Sequence, residues 1–125
     1  THSQKQVTRS LLDVGLKCKK EAKRRLARVA IAFELSQKRR FSQLVSLIRK
    51  LSEKWEMAKV TDALVLMATC LLLLSERERT LRELVEAAVG VATGEEIGVS
   101  LDALLRRDLV VKMNDTYRLN PAKLL

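Results

Sequence analysis

The stretch LLRRDLVVKMNDTYRLN, from Leu104 to Asn120, decides how the second half of this chain folds. A leucine-rich segment stops at Arg106-Arg107-Asp108, and two short apolar-and-charged runs follow on either side of Asn114-Asp115. Upstream, Ile97, Leu101, Leu104 and Leu105 recur three and four apart, which predicts the inner face of one helix. Asp108 stands where that helix ends, a short polar residue that tolerates the left-handed backbone of a C-terminal cap. Residues 109–112 and 116–119 then predict a small hairpin, since asparagine favours the turn between them. With a two-residue loop, Val110, Tyr117 and Leu119 fall on one face.

Further upstream the punctuation is equally sharp. Thr93-Gly-Glu-Glu96 and Thr80-Leu-Arg-Glu83 are both capping boxes, in which the threonine hydroxyl and the glutamate three residues later satisfy free amides at a helix start. The earlier helix is expected to run through Leu84, Val85, Ala87 and Ala88 to about Gly90. Two capped helices joined by the short link 89–92 fit a helix-turn-helix. Thr61-Asp62 suits the start of another helix carrying ALVLMATCLLLL, residues 63–74. That run is apolar on all sides and must therefore be covered on all sides. It is too short for a bilayer, which takes roughly 20 residues. The charged segment between them, where Glu76, Glu78, Glu83 and Glu86 alternate with Arg77, Arg79 and Arg82, reads as solvated helix surface with local ion pairs.

From about Thr61 to Asn120 the chain resembles the winged helix-turn-helix superfamily. The resemblance rests on TLRELVEAAVG, TGEEIGVSLDALLRRDLV and VVKMNDTYRL. That family commonly ends its last helix in a leucine, a small turn residue and Leu-Val, with Tyr-x-Leu on the returning strand. Leu105, Asp108, Leu109, Val110, Tyr117 and Leu119 match, with Asp108 where glycine is usual. The resemblance implies a mainly α fold: N-terminal amphipathic helices followed by a winged helix-turn-helix with a small β-hairpin wing. It also implies that the helix over residues 93–108 would enter the major groove of DNA. Against this, its first turn carries Glu95 and Glu96, and it holds four acids to two arginines, a poor match for a phosphate-lined groove.

The first half has a different character. Val7, Leu11, Val14, Cys18, Ala22, Leu26, Val29 and Phe33 keep to one helical stripe, although Gly15 weakens its early turns. A second stripe of Phe41, Leu44, Val45, Ile48, Leu51 and Trp55 follows SQKRRF, as a second helix or as the continuation of one bent helix. Leu11, Leu26, Val29, Phe33, Leu44, Ile48 and Trp55 are the candidates to cover the apolar run or to hold a second copy of the chain. Each leucine so buried contributes on the order of 2 kcal/mol. Two regions are therefore expected, a basic helical extension over 1–60 and a winged domain over 61–125.

Net charge is +9, all of it from the first half: residues 1–60 hold 16 Lys/Arg against 5 Asp/Glu, whereas residues 61–125 hold 8 against 10. Within KCKKEAKRRLAR, the cations Lys17, Lys19, Lys20, Lys23, Arg24, Arg25 and Arg28 are broken by no acid but Glu21, a density that points to an anionic partner. Arg106 and Arg107 suit the helix dipole or a phosphate, and Lys112 and Arg118 of the wing are further phosphate candidates. The leading expectation is a non-enzymatic protein that binds nucleic acid, duplex DNA foremost, in transcription regulation or in chromosome and replication maintenance. Its rival is an interaction subunit of a larger assembly that docks another protein through the winged domain. A homodimer or a protein partner is compatible with either.

Enzyme chemistry lacks a constellation. His2 is the single histidine, so no Ser/His/Asp or Cys/His set assembles, and no glycine-rich phosphate loop or metal-ligand spacing occurs; neither cofactor nor metal is expected. Cys18 and Cys70 read as free thiols of a reducing compartment, and no secretion signal opens the chain. An intracellular location, cytoplasmic or nuclear, is the corresponding expectation, with no membrane role. Aromatic residues make up 3% of the chain, too few for base stacking along single strands.

Overall fold

The computed structural model describes residues 15–33 and 38–124. The architecture is mainly helical with one small antiparallel sheet: α1 (Lys20–Ala32), α2 (Lys38–Lys54), α3 (Asp62–Glu76), β1 (Arg79–Thr80), α4 (Leu81–Ala87), α5 (Gly94–Arg106), β2 (Val110–Met113), β3 (Thr116–Leu119) and the single turn α6 (Pro121–Leu124). The strands lie in the order β1-β3-β2, so the two-residue β1 adds to the free edge of the hairpin.

Helix α3 is the axis of the fold. The Thr61 hydroxyl accepts from the Leu64 amide at 3.2 Å and starts it. Every residue from Leu64 to Leu74 is buried, because α1, α2, α5 and β3 all pack on it. The cover that an all-round apolar helix demands thus comes from within the chain: Ala22, Leu26 and Val29 of α1 and Leu44, Ile48 and Leu51 of α2 join one continuous core that runs on to Leu109, Val110 and Tyr117. Phe33 and Trp55 are half-buried against it, and Leu11 lies outside the described residues. Arg40 of α2 and Arg79 both reach Glu76 at the end of α3, at 2.8 and 3.2 Å.

Both capping boxes form as the spacing predicts. The Glu83 amide donates to the Thr80 hydroxyl and the Thr80 amide to the Glu83 carboxylate; Thr93 and Glu96 repeat the exchange at α5. At the other end of α5, Asp108 has φ 58°, Leu109 N–H donates to Leu104 O at 3.0 Å and Asp108 N–H to Leu105 O at 3.1 Å. This paired closure is the Schellman arrangement, with an aspartate in the place that favours glycine. Val110 pairs with Leu119 and Met113 with Thr116, leaving Asn114-Asp115 as a two-residue loop with Asn114 at φ 57°. Val110 and Tyr117 accordingly turn into the core.

Three expectations need correction. The long N-terminal helix does not include Cys18: Gly15 has φ 73°, and the backbone stays extended to Lys19, where Cys18 forms a parallel bridge with Val60. Lys19 N–H donates to Val60 O at 2.9 Å and Val60 N–H to Lys17 O at 2.7 Å, so a long-range pairing replaces local helical bonds. Val7, Leu11 and Val14 lie outside the described residues. Second, α4 stops at Ala87, well before Gly90, which takes φ 85° in the link. Third, Arg79 lies in a strand and not on solvated helix; its side chain is largely buried and donates to Leu73 O at 3.1 Å.

Candidate nucleic-acid interface

The cations of the first half divide according to the helical geometry of α1. Ala22, Leu26 and Val29 face α3 and are buried. Lys20, Arg24 and Arg28, spaced by four, form a line on the exposed side that spans about 12 Å at 1.5 Å per residue. Lys23 flanks it, half-buried. Before the helix, the extended segment turns Cys18 inward and leaves Lys17 and Lys19 exposed on either side of it. The same bridge brings Lys59, exposed and next to Val60, to this end of the molecule. Sequence reading misses Lys59, because its neighbourhood is created by a pairing of residues more than 40 positions apart. None of Lys17, Lys19, Lys20, Lys23, Arg24 and Arg28 has an ion-pair partner among the described residues.

Arg25 does not belong to this group. One residue from Arg24, it is rotated about 100° around the helix and points inward, with 7% of its surface exposed. Its guanidinium donates to both oxygens of Asp62, at 2.9 and 3.0 Å, to Glu96 at 2.6 Å, and to the carbonyl of Val91. The expected phosphate contact is therefore an internal clasp that ties α1 to the start of α3, to the α4–α5 link and to the first turn of α5. A buried arginine needs such partners, since desolvation opposes its charge. Its hydrogen bond to Asp62, first, and that to Glu96 hold the guanidinium charged against that cost. Reciprocally, Arg25 and then the Thr93 amide lower the Glu96 carboxyl to about 2.

The exposed stripe of α5 is acidic and apolar. Glu95, Val99, Asp102 and Arg106 follow one another along it, with Val99 63% exposed. Arg106 is solvent-facing at the far end, about 15 Å along the axis from Glu96. Arg107 lies over the Trp55 ring, 4.7 Å from its centroid, and joins the ends of α2 and α5. In the hairpin Lys112 is paired with Tyr117 and sits 5.4 Å from its ring centroid, whereas Arg118 stands on the opposite face; both cations are exposed.

Among the described residues, no group of three or more His, Cys, Asp or Glu is placed to hold a metal ion, and no helix is long and apolar enough to cross a membrane. Burial pushes the Cys70 thiol up to about 12, and burial, partly offset by Lys23, raises that of Cys18. His2 lies outside the described residues. No protein-family model, no curated protein and no solved structure matches this chain.

Proposed function

We propose that this is a non-enzymatic nucleic-acid-binding protein of winged helix-turn-helix architecture, which grips the phosphate backbone of duplex DNA with the exposed cations around α1. The order helix, short strand, two capped helices, hairpin supports a winged reading of residues 61–120. The observation that carries the function is the density of unpaired cations in one short segment. Five arginines (Arg25, Arg40, Arg77, Arg79 and Arg82) each reach a carboxylate within 3.3 Å. Six cations of the Lys17–Arg28 segment reach none among the described residues, although acids are present elsewhere on the surface. Lys20, Arg24 and Arg28 stand in one line with the others beside it, and cations so grouped and unneutralised are suited to displace the counterions of a polyanion. Transcription regulation or chromosome and replication maintenance, inside the cell, is the proposed setting.

The test is titration of a labelled random-sequence duplex at several salt concentrations. Six phosphate contacts give a log–log slope of about −5, and replacing Lys20, Arg24 and Arg28 with glutamine removes about half of it. Absence of binding at low salt overturns the proposal. A second reading, in which the winged domain docks a protein within a larger assembly, draws on the acidic α5 stripe and on the exposed Val99 and Val89, the latter 71% exposed. It predicts no salt-dependent duplex binding at all.

A further inference from the structure

Resting on that reading, we infer that α5 stays out of the groove: the protein takes double-stranded nucleic acid without reading its sequence, through the α1 side of the molecule. Three observations lead there. First, the leading turn of α5 is already engaged. The Glu96 amide donates to the Thr93 hydroxyl and the Thr93 amide to the Glu96 carboxylate, while Glu96 also receives Arg25. Two amides of this helix start, those of Thr93 and Glu96, are thereby answered internally, and the Glu96 carboxylate already lies against the partial positive charge that a phosphate would seek.

Second, what α5 does expose repels phosphate. Glu95 and Asp102 occupy the outer stripe, Val99 lies between them, and the single stripe cation, Arg106, comes at the end. Apart from Arg106 at its far end, that stripe holds no arginine, asparagine or glutamine, the residues by which base edges are usually distinguished. Third, the cation line looks elsewhere. Arg25 fixes the direction in which α1 meets α5, and Arg24, at the middle of the Lys20–Arg24–Arg28 line, lies about 100° around the helix from it. A duplex laid along that line meets α1 and the adjoining Lys17, Lys19 and Lys59, while α5 is turned aside.

Neutralising acids on a surface that faces phosphates tightens binding; neutralising them on a surface turned away does not. The experiment therefore compares the unaltered protein with a Glu95→Gln/Asp102→Asn double variant and with Lys20→Gln/Arg24→Gln/Arg28→Gln. Each is titrated by fluorescence anisotropy against two short duplexes of unrelated sequence at about 0.1 M salt, where a Debye length of about 10 Å confines charge effects to the surface that faces the duplex. Both acids are exposed and neither has an ion-pair partner among the described residues, so the double variant is expected to fold; circular dichroism checks it. The inference expects the two duplexes to bind within about twofold of each other, the acid-to-amide variant to match the unaltered protein within about twofold, and the triple variant to weaken by more than tenfold. Tightening of about fivefold or more in the acid-to-amide variant, or discrimination between the duplexes beyond about tenfold, overturns the inference while leaving duplex binding intact. Failure of the unaltered protein to bind either duplex overturns the function on which it rests.

Discussion

Replacing Arg25 with methionine removes the clasp and keeps most of the apolar stem, so the change in stability reports the charge. In the native protein the guanidinium engages Asp62 with two bonds, Glu96 at 2.6 Å and the Val91 carbonyl. Hydrogen bonds to charged groups contribute about 1.5–3 kcal/mol each where water is excluded. Asp62 and Glu96 keep 34% and 36% side-chain exposure, so both carboxylates rehydrate once Arg25 is gone and the penalty of stranded buried charge is largely avoided. The net loss is about 2–3 kcal/mol, which for a chain of this size lowers the melting temperature by about 10 °C. The pH dependence supplies a second check. The folded Glu96 carboxyl is lowered from 4.5 to about 2, so its contribution is complete above that ordinary value and drains away as pH falls toward about 2. Arg25 is the main cause of the lowering, so the stability difference between the two proteins narrows over that window. Urea denaturation followed by circular dichroism across acid pH measures it. A difference under about 0.5 kcal/mol at neutral pH, or one that stays constant down to the acid limit, refutes the clasp as a stabilising element.

Asp108 sits at φ 58° in the cap that ends α5, a backbone region costly for any residue with a Cβ. Asp108→Gly is expected to raise the urea midpoint by the equivalent of about 0.5–1 kcal/mol, and an unchanged or lower midpoint contradicts that account. For the thiols, Cys70 is fully buried with its pKa pushed up to about 12, while Cys18 is half-buried. Ellman's reagent at mildly alkaline pH is expected to titrate Cys18 slowly and Cys70 only after denaturation; equal native reactivity of the two contradicts the packing around α3.

Local chemistry is what the sequence exposes best. Both capping boxes, the Thr61 start of α3, the left-handed cap at Asp108 and the Asn114-Asp115 turn depend on residues within a few positions of one another, so a motif states them completely. The need to cover residues 64–74 was also legible, because a helix apolar on every side has no solvent face. What could not be read is whatever depends on distant pairing. The Cys18–Val60 bridge shortens the first helix, the β3 edge creates β1, and the docking of α1 on α3 converts Arg25 from a presumed phosphate ligand into an internal one. In the sequence, Arg24 and Arg25 are equivalent members of one basic run; only the direction of α3 distinguishes them.

That distinction bears on how charge is read as function. A basic run on an amphipathic helix has two destinations, and 3.6 residues per turn assigns successive cations to different ones. Those that project along the margin of the buried stripe are drawn to carboxylates of the neighbouring elements, as Arg25 is to Asp62 and Glu96. Those that project outward, Lys20, Arg24 and Arg28, find no carboxylate among the described residues and remain available to an anion outside the protein. The acids of α5 are divided in the same way. Glu96 is turned inward to cap its helix and hold Arg25, and Glu95 and Asp102 face solvent, where they oppose a phosphate. On the proposed function, a second capped helix with an acidic outer stripe gains more from a cationic surface beside it than from entering a groove itself. The net charge of +9 is therefore less informative than its arrangement: one arginine consumed in assembling the fold, a line of cations left on the face that α1 presents, and an acidic stripe along the outer face of α5.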